Sequence, residues 1–120
     1  MKILFFDPTV DPNYTALVEE GKVTELEPSG RLHASVLDRI ENLDGVIVVH
    51  GAGRFSRVRG AVSVANALSY GKNISIVGIK AISGETLNGQ IARGIEELKI
   101  NPQKTITPEY GGLPHITKPK

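Results

Sequence analysis

Apolar positions along this chain follow two kinds of pattern. Ile3-Leu4-Phe5-Phe6, Gly45 to Val49 and Ile74 to Ile79 are uninterrupted runs, which predict strands covered on both faces. Tyr14 to Glu19 and Lys22 to Leu26 are rich in strand formers and are separated only by Glu20-Gly21, so they predict a hairpin. Pro8, Asp11, Pro12 and Asn13 make the link after the first run a turn rather than a helix, so the chain should open as a three-stranded antiparallel meander. Elsewhere the spacing becomes helical. After Ser29 as N-cap, Leu32, Val36, Ile40 and Leu43 form one apolar face with Leu37 beside it. A second helix is predicted from about Ser56 to Tyr70, stopped by Gly71. Leu87, Ile91, Ile95 and Leu98 predict a third, capped by Ser83, in which Gly89 and Gly94 each cost about 1 kcal/mol relative to Ala. Beyond Pro102, three further prolines and Gly111-Gly112 predict an extended segment.

The predicted order is three antiparallel strands, then helix, strand, helix, strand, helix. A meander feeding parallel βαβ units is the plan of a single ribonuclease-H-like α/β domain, the half that is duplicated in actin, Hsp70 and sugar kinases. The expected domain spans residues 1–100 with a mixed five-stranded sheet, followed by an extended C-terminal tail over residues 101–120. Fold alone does not set function.

Composition narrows the chemistry. With 14 Lys+Arg against 13 Asp+Glu the net charge is +1, so any anion recognition has to be local rather than global. The absence of cysteine removes disulfides, zinc–thiolate sites and cysteine nucleophiles, and makes a reduced cytoplasmic compartment the expected home. The opening apolar run is closed at once by Asp7-Pro8, too short for a signal segment or a membrane span, so no membrane association is expected.

Three features carry candidate chemistry. The turn Gly51-Ala52-Gly53-Arg54-Phe55-Ser56 joins a buried strand to a helix, where free backbone N–H groups favour an anion. It is a poor dinucleotide fingerprint, because Ser56 stands where the third glycine belongs and the next strand ends in Ile79-Lys80 without an acid. Arg54, Arg57 and Arg59 open the helix, where cations oppose the helix dipole. They are either solvated or locally paired, or share an anion: a carboxylate on a protein partner or a phosphate on RNA. From Gly60 to Gly71 the same helix carries no charge. Ala61, Ala65 and Leu68 suit the sheet, while Gly60, Val64, Ala67 and Gly71 line another side and permit close approach of a second helix, which predicts a subunit interface. Asp7 at the end of the first strand is where a ribonuclease-H-type nuclease would hold metal, but the neighbouring strand runs into His50 instead of an acid. His33, His50 and His115 lie on distant segments without metal-ligand spacing, so neither metal nor catalytic residues are expected.

The residues also resemble a family, TsaB (YeaZ), the non-catalytic partner in bacterial synthesis of the threonylcarbamoyladenosine modification of tRNA. Met1 to Thr9 followed by Ala16-Leu17-Val18-Glu19-Glu20-Gly21-Lys22-Val23 is similar to the family's I-D-T-S opening and its hairpin. Arg31-Leu32-His33 resembles its R-x-H segment. Gly51, Gly53, Phe55 and Arg59 match G-P-G-S-F-T-G-L-R, with Ser56 for Thr and Val58 for Leu, whereas Ala52, Arg54 and Arg57 depart from it. Ala65, Ala67, Leu68 and Val77-Gly78-Ile79 fit the helix and strand that follow. The likeness covers residues 1 to about 98 and extends weakly to Pro108-Glu109-Tyr110.

That resemblance implies a minimal form without the family's second subdomain. It implies a scaffold subunit that binds a TsaD-type threonylcarbamoyltransferase through its helices, homodimerises when alone and meets tRNA only within the complex. Asp7, Thr9 and His33 would form a polar site, with no cofactor of the chain's own and a place for ATP or ADP only at a complex interface. The rival readings are a small metal-dependent nuclease using Asp7 and a nucleotide- or RNA-binding module using the Gly51 turn.

Overall fold

In a computed structural model, the described residues are 1–10, 13–26 and 40–107. Five strands form one sheet: β1 (Lys2–Asp7), β2 (Tyr14–Glu19), β3 (Lys22–Glu25), β4 (Gly45–His50) and β5 (Ser75–Lys80). Their spatial order is β3-β2-β1-β4-β5. The hairpin β2–β3 and the pair β1–β2 are antiparallel, while β1–β4 and β4–β5 are parallel. The α/β class and the mixed five-stranded sheet are therefore present. The helix expected around Leu32, Val36 and Leu37 lies outside the described residues. Its last apolar positions, Ile40 and Leu43, are buried in the core.

Strand periodicity sorts the core into two halves. Alternate side chains point to opposite faces, so Leu4, Phe6, Val46, Val48 and Ile76 meet Val58, Val62 and Ala65 of α1 (Phe55–Lys72). Ile3, Phe5, Ile47, Val49, Val77 and Ile79 meet Ile91 and Leu98 of α2 (Leu87–Ile100). β4 is buried along its whole length, as an uninterrupted apolar run requires. The turn between β2 and β3 places Glu20 and Gly21 both at positive φ, the backbone of a two-residue hairpin.

The helix ends differ slightly from expectation. α1 begins at Phe55 and runs through Gly71 to Lys72; Asn73, in the left-handed region, stops it and donates its backbone N–H to the Tyr70 carbonyl. α2 is capped by Thr86, whose hydroxyl accepts the Gly89 N–H at 3.0 Å, and not by Ser83. Ser83 and Gly84 instead occupy the preceding turn, closed by the Glu85 N–H donating to the Ile82 carbonyl.

Residues 101–107 lie against the domain. Gln103 exchanges two backbone bonds with Ile76 of the edge strand β5, at 2.9 and 3.1 Å. The Asn66 side chain on α1 then both accepts the Ile106 N–H and donates to the Ile106 carbonyl, while the Ser69 hydroxyl donates to the Lys104 carbonyl. Residues 108–120 lie outside the described residues.

Candidate functional site

The parallel pairing of β1 with β4 brings the loops that follow them to the same end of the sheet. Asp7, almost wholly buried, turns its carboxylate back onto its own loop and accepts the backbone N–H of Thr9 at 3.0 Å together with the Thr9 hydroxyl. This is the local closure that short acidic side chains favour in turns. Across from it, Gly51 and Gly53 take φ of 89° and 82°. A Cβ on Gly53 would stand 2.7 Å from the Thr9 Cα, so glycine there is required by the contact between the two loops as well as by φ. Arg57 fastens the same junction by donating from Nη1 to the Val10 carbonyl at 2.9 Å.

The three arginines do not converge. Arg57 reaches inward to the β1 loop, whereas Arg54 is exposed at the N-cap and supplies no side-chain cap. Arg59 lies with its guanidinium 5.9 Å from the centroid of the half-exposed Phe55 ring, within cation–π reach. Ser56 is exposed beside them and the first turn of α1 holds no acidic residue. The result is a helix N-terminus with exposed cationic character, resting on a loop junction closed by Asp7, Thr9, Gly53 and Arg57.

Along the rest of α1, Gly60, Ala67 and Gly71 are exposed, and a Cβ at either glycine would meet nothing within 4 Å. Val64 is different. It sits on the flank of the helix and packs partly buried against the α1-side core. Ser63 and Tyr70 complete the exposed face, Tyr70 with 87% of its surface accessible. Phe55 and Tyr70 therefore stand at the two ends of an exposed strip that has small residues between them. Sequence reasoning named Phe55 only within the turn and left Tyr70 as the helix end, placing neither on this face, because an uncharged run of small residues gives no sharp boundary between covered and open sides.

His50 ends β4 and is buried, with its ring over Gly78 of β5, where a Cβ would come within 2.5 Å of Nε2. By strand alternation it shares the sheet face of Val46 and Val48, the face that α1 covers. His33, expected beside Asp7 and Thr9, lies outside the described residues. Among the described residues no group of three or more His, Cys, Asp or Glu is placed to hold a metal ion, and no helix is long and apolar enough to cross a membrane.

Comparison with solved structures speaks to this architecture directly. YeaZ from Pseudomonas aeruginosa superposes with a TM-score of 0.54 at 22% identity, over 67% of this chain and 45% of its own. The fold is YeaZ-like. An uncharacterized Pseudomonas aeruginosa protein described as similar to peptidase YeaZ superposes comparably, with a TM-score of 0.53 at 24% identity over 66% of this chain and 43% of its own. The chain thus spans less than half the length of these two structures. No family model matches it. No curated protein matches it either.

Proposed function

We propose that this YeaZ-like chain is a non-catalytic scaffold subunit in the synthesis of threonylcarbamoyladenosine on tRNA. In this reading it docks a TsaD-type subunit through the exposed side of α1, and the same side serves a homodimer when the partner is absent. The observation that carries the reading is the exposed strip itself. Gly60, Ala67 and Gly71 offer no side chain longer than a methyl group, no charge interrupts residues 60–71, and aromatic rings stand at both ends. Small residues let a second helix come close, and uncharged ones let it do so without burying an unpaired ion. The strip rides on a helix whose opposite side, Val58, Ala61, Val62 and Ala65, is locked into the sheet, so it meets a partner as a rigid surface.

Ala67→Arg tests this. A long cation at the centre of a dry contact is expected to cost on the order of 3 kcal/mol of association. Because Ala67 is exposed, the fold should be retained. Co-purification with a TsaD-type subunit and light scattering of the isolated chain, read beside circular dichroism, are the measurements. A monomeric wild type whose partner binding is unchanged by Ala67→Arg would remove the proposal.

A second reading is favoured by one observation, the open N-terminus of α1 with Arg54 exposed and no acid in its first turn. There the Gly51–Gly53 turn and Arg54 would hold a phosphate of RNA. RNA binding by the isolated chain that weakens steeply with salt and is lost in Arg54→Glu would support it over the scaffold.

A further inference from the structure

Seven large apolar side chains among the described residues are exposed, and they are not scattered. Four of them, Val10, Phe55, Ile82 and Leu87, lie at one end of the sheet and expose between 36% and 55% of their surface. The topology explains the grouping. β1, β4 and β5 are parallel to one another, so the segments that follow them leave from the same end. Val10 follows β1, Phe55 follows β4 as the first residue of α1, and Ile82 and Leu87 follow β5, Leu87 as the first residue of α2. Adjacent strands lie about 4.8 Å apart, so the three segments leave the sheet within about 10 Å of one another. A single exposed apolar residue is ordinary on a protein surface, whereas a cluster marks a place where something binds.

Open α/β sheets usually take small ligands at this end, in the crevice between loops that diverge from the strands. Here the loops close on one another instead. The Thr9 backbone fills the space beside Gly53, Arg57 donates to the Val10 carbonyl at 2.9 Å, and the Ala81 N–H donates to the His50 carbonyl at 2.8 Å. A surface joined in this way, with apolar side chains exposed on it, suits a macromolecule better than a small molecule. Charge narrows the choice. Arg54 and Arg59 are exposed beside Phe55, whereas Asp7 is buried against Thr9 and Glu85 is held by Arg93. Among the described residues the exposed charge of this end is therefore cationic, with Lys80 adding to it at the end of β5. A phosphate backbone would satisfy the arginines and leave the aliphatic side chains wet, because Val10, Ile82 and Leu87 offer no ring on which a base could stack. Carboxylates interleaved with apolar side chains satisfy both.

We infer that this end of the sheet is a docking surface for an acidic amphipathic segment of a protein partner. The segment lays its apolar side chains on Val10, Phe55, Ile82 and Leu87 and turns Asp or Glu side chains toward Arg54 and Arg59. The surface is distinct from the strip between Gly60 and Gly71, with which it shares only Phe55, and does not depend on what that strip binds.

The probe is a synthetic amphipathic helical peptide of Leu and Glu, compared with the same peptide carrying Lys for every Glu and with a single-stranded RNA oligonucleotide. Each is titrated into the full chain and followed by NMR of the side-chain methyl groups. The Leu/Glu peptide should shift the Val10, Ile82 and Leu87 methyl resonances and leave that of the buried Val48 in place. Ile82→Asp should weaken it on the order of tenfold, and Arg54→Glu by about fivefold at low salt with less effect at high salt. Ile82 is half exposed, so the variant should keep its fold, which an unchanged Val48 resonance checks. The inference is overturned if the Leu/Glu peptide leaves the three methyl groups unshifted, if the Leu/Lys peptide binds equally well, or if only the RNA binds. Ala67→Arg, on the α1 strip, should leave the peptide's affinity unchanged, so failure of the scaffold reading and failure here are separate results. A peptide weakened by Ala67→Arg would sit on the strip, and that too would overturn the inference.

Discussion

The two helices are finished in opposite ways. α2 buries Ile91, Gly94 and Leu98 against the sheet and turns Glu96 and Lys99 to solvent. Its N-terminus is capped by Thr86, and Arg93 ties it to Glu85 through paired bonds of 2.9 and 2.7 Å. α1 buries a similar stripe, yet past Arg59 its outward side from Gly60 to Gly71 is glycine, alanine, serine and tyrosine, and its N-cap residue makes no side-chain cap bond. A helix that is complete against solvent has charge outside and a cap at its start. By that standard α2 is complete as it stands. Among the described residues α1 lacks that finish, and the proposed scaffold reading is built on the difference.

Substitutions can break the contrast, and the largest effect belongs to glycines of equal appearance. Gly94 in α2 faces Ile47 so closely that a Cβ would lie 2.6 Å from its Cδ1, whereas Gly60 in α1 faces nothing. Gly94→Val should lower stability by about 3 kcal/mol, since the helix must lift from the sheet; urea unfolding followed by circular dichroism measures it. Thr86→Ala should cost about 1 kcal/mol through the lost cap, read from the same unfolding curves. Gly60→Ala should go the other way and raise stability by up to about 1 kcal/mol through helix propensity, while partner binding is maintained or weakened. A destabilised Gly60→Ala would mean that this side of α1 is covered within the chain.

The smallest expected effect is pH-dependent. The hydrogen bonds from Arg93 hold the Glu85 carboxyl below its ordinary value. A depressed folded-state value contributes stability above the unfolded carboxyl range and loses it as pH falls through the folded value. Unfolding measured from pH 6 downward should therefore show the Glu85 contribution fading below about pH 4, and Glu85→Gln should remove that part of the slope. Ser56, exposed near the start of α1, carries no titrating group, so Ser56→Ala should leave the acid limb unchanged.

Much of the fold was legible because the runs at Ile3–Phe6, Gly45–Val49 and Ile74–Ile79 have no polar interruption, which only a strand inside a covered sheet explains. Cap placement was less so. Ser83 and Thr86 are both good caps three residues apart, and the choice between them falls to Gly84, which at φ 84° turns the chain before α2 begins. At the site, the turn glycines were legible as a turn, but the Thr9 backbone against Gly53 is a contact between loops far apart in sequence. Val64 shares a helical stripe with Gly60 and Ala67 on paper. Its burial follows from where the core ends along the sheet, which no helical wheel contains. Asn66 and Ser69 read as neutral filler, and their partners, Ile106 and Lys104, are 40 and 35 residues further on.

The sheet order also sets a sequence of events in folding. The meander β1–β2–β3 joins residues that are close along the chain, but the central pair matches Ile3 with Gly45. Loop closure over that separation comes late and slowly relative to a hairpin. During synthesis, the β1 edge that carries Leu4 and Phe6 waits unpaired until β4 emerges. Leu4 and Phe6 end fully buried, so until then they are the part of the chain that most needs shielding from other chains.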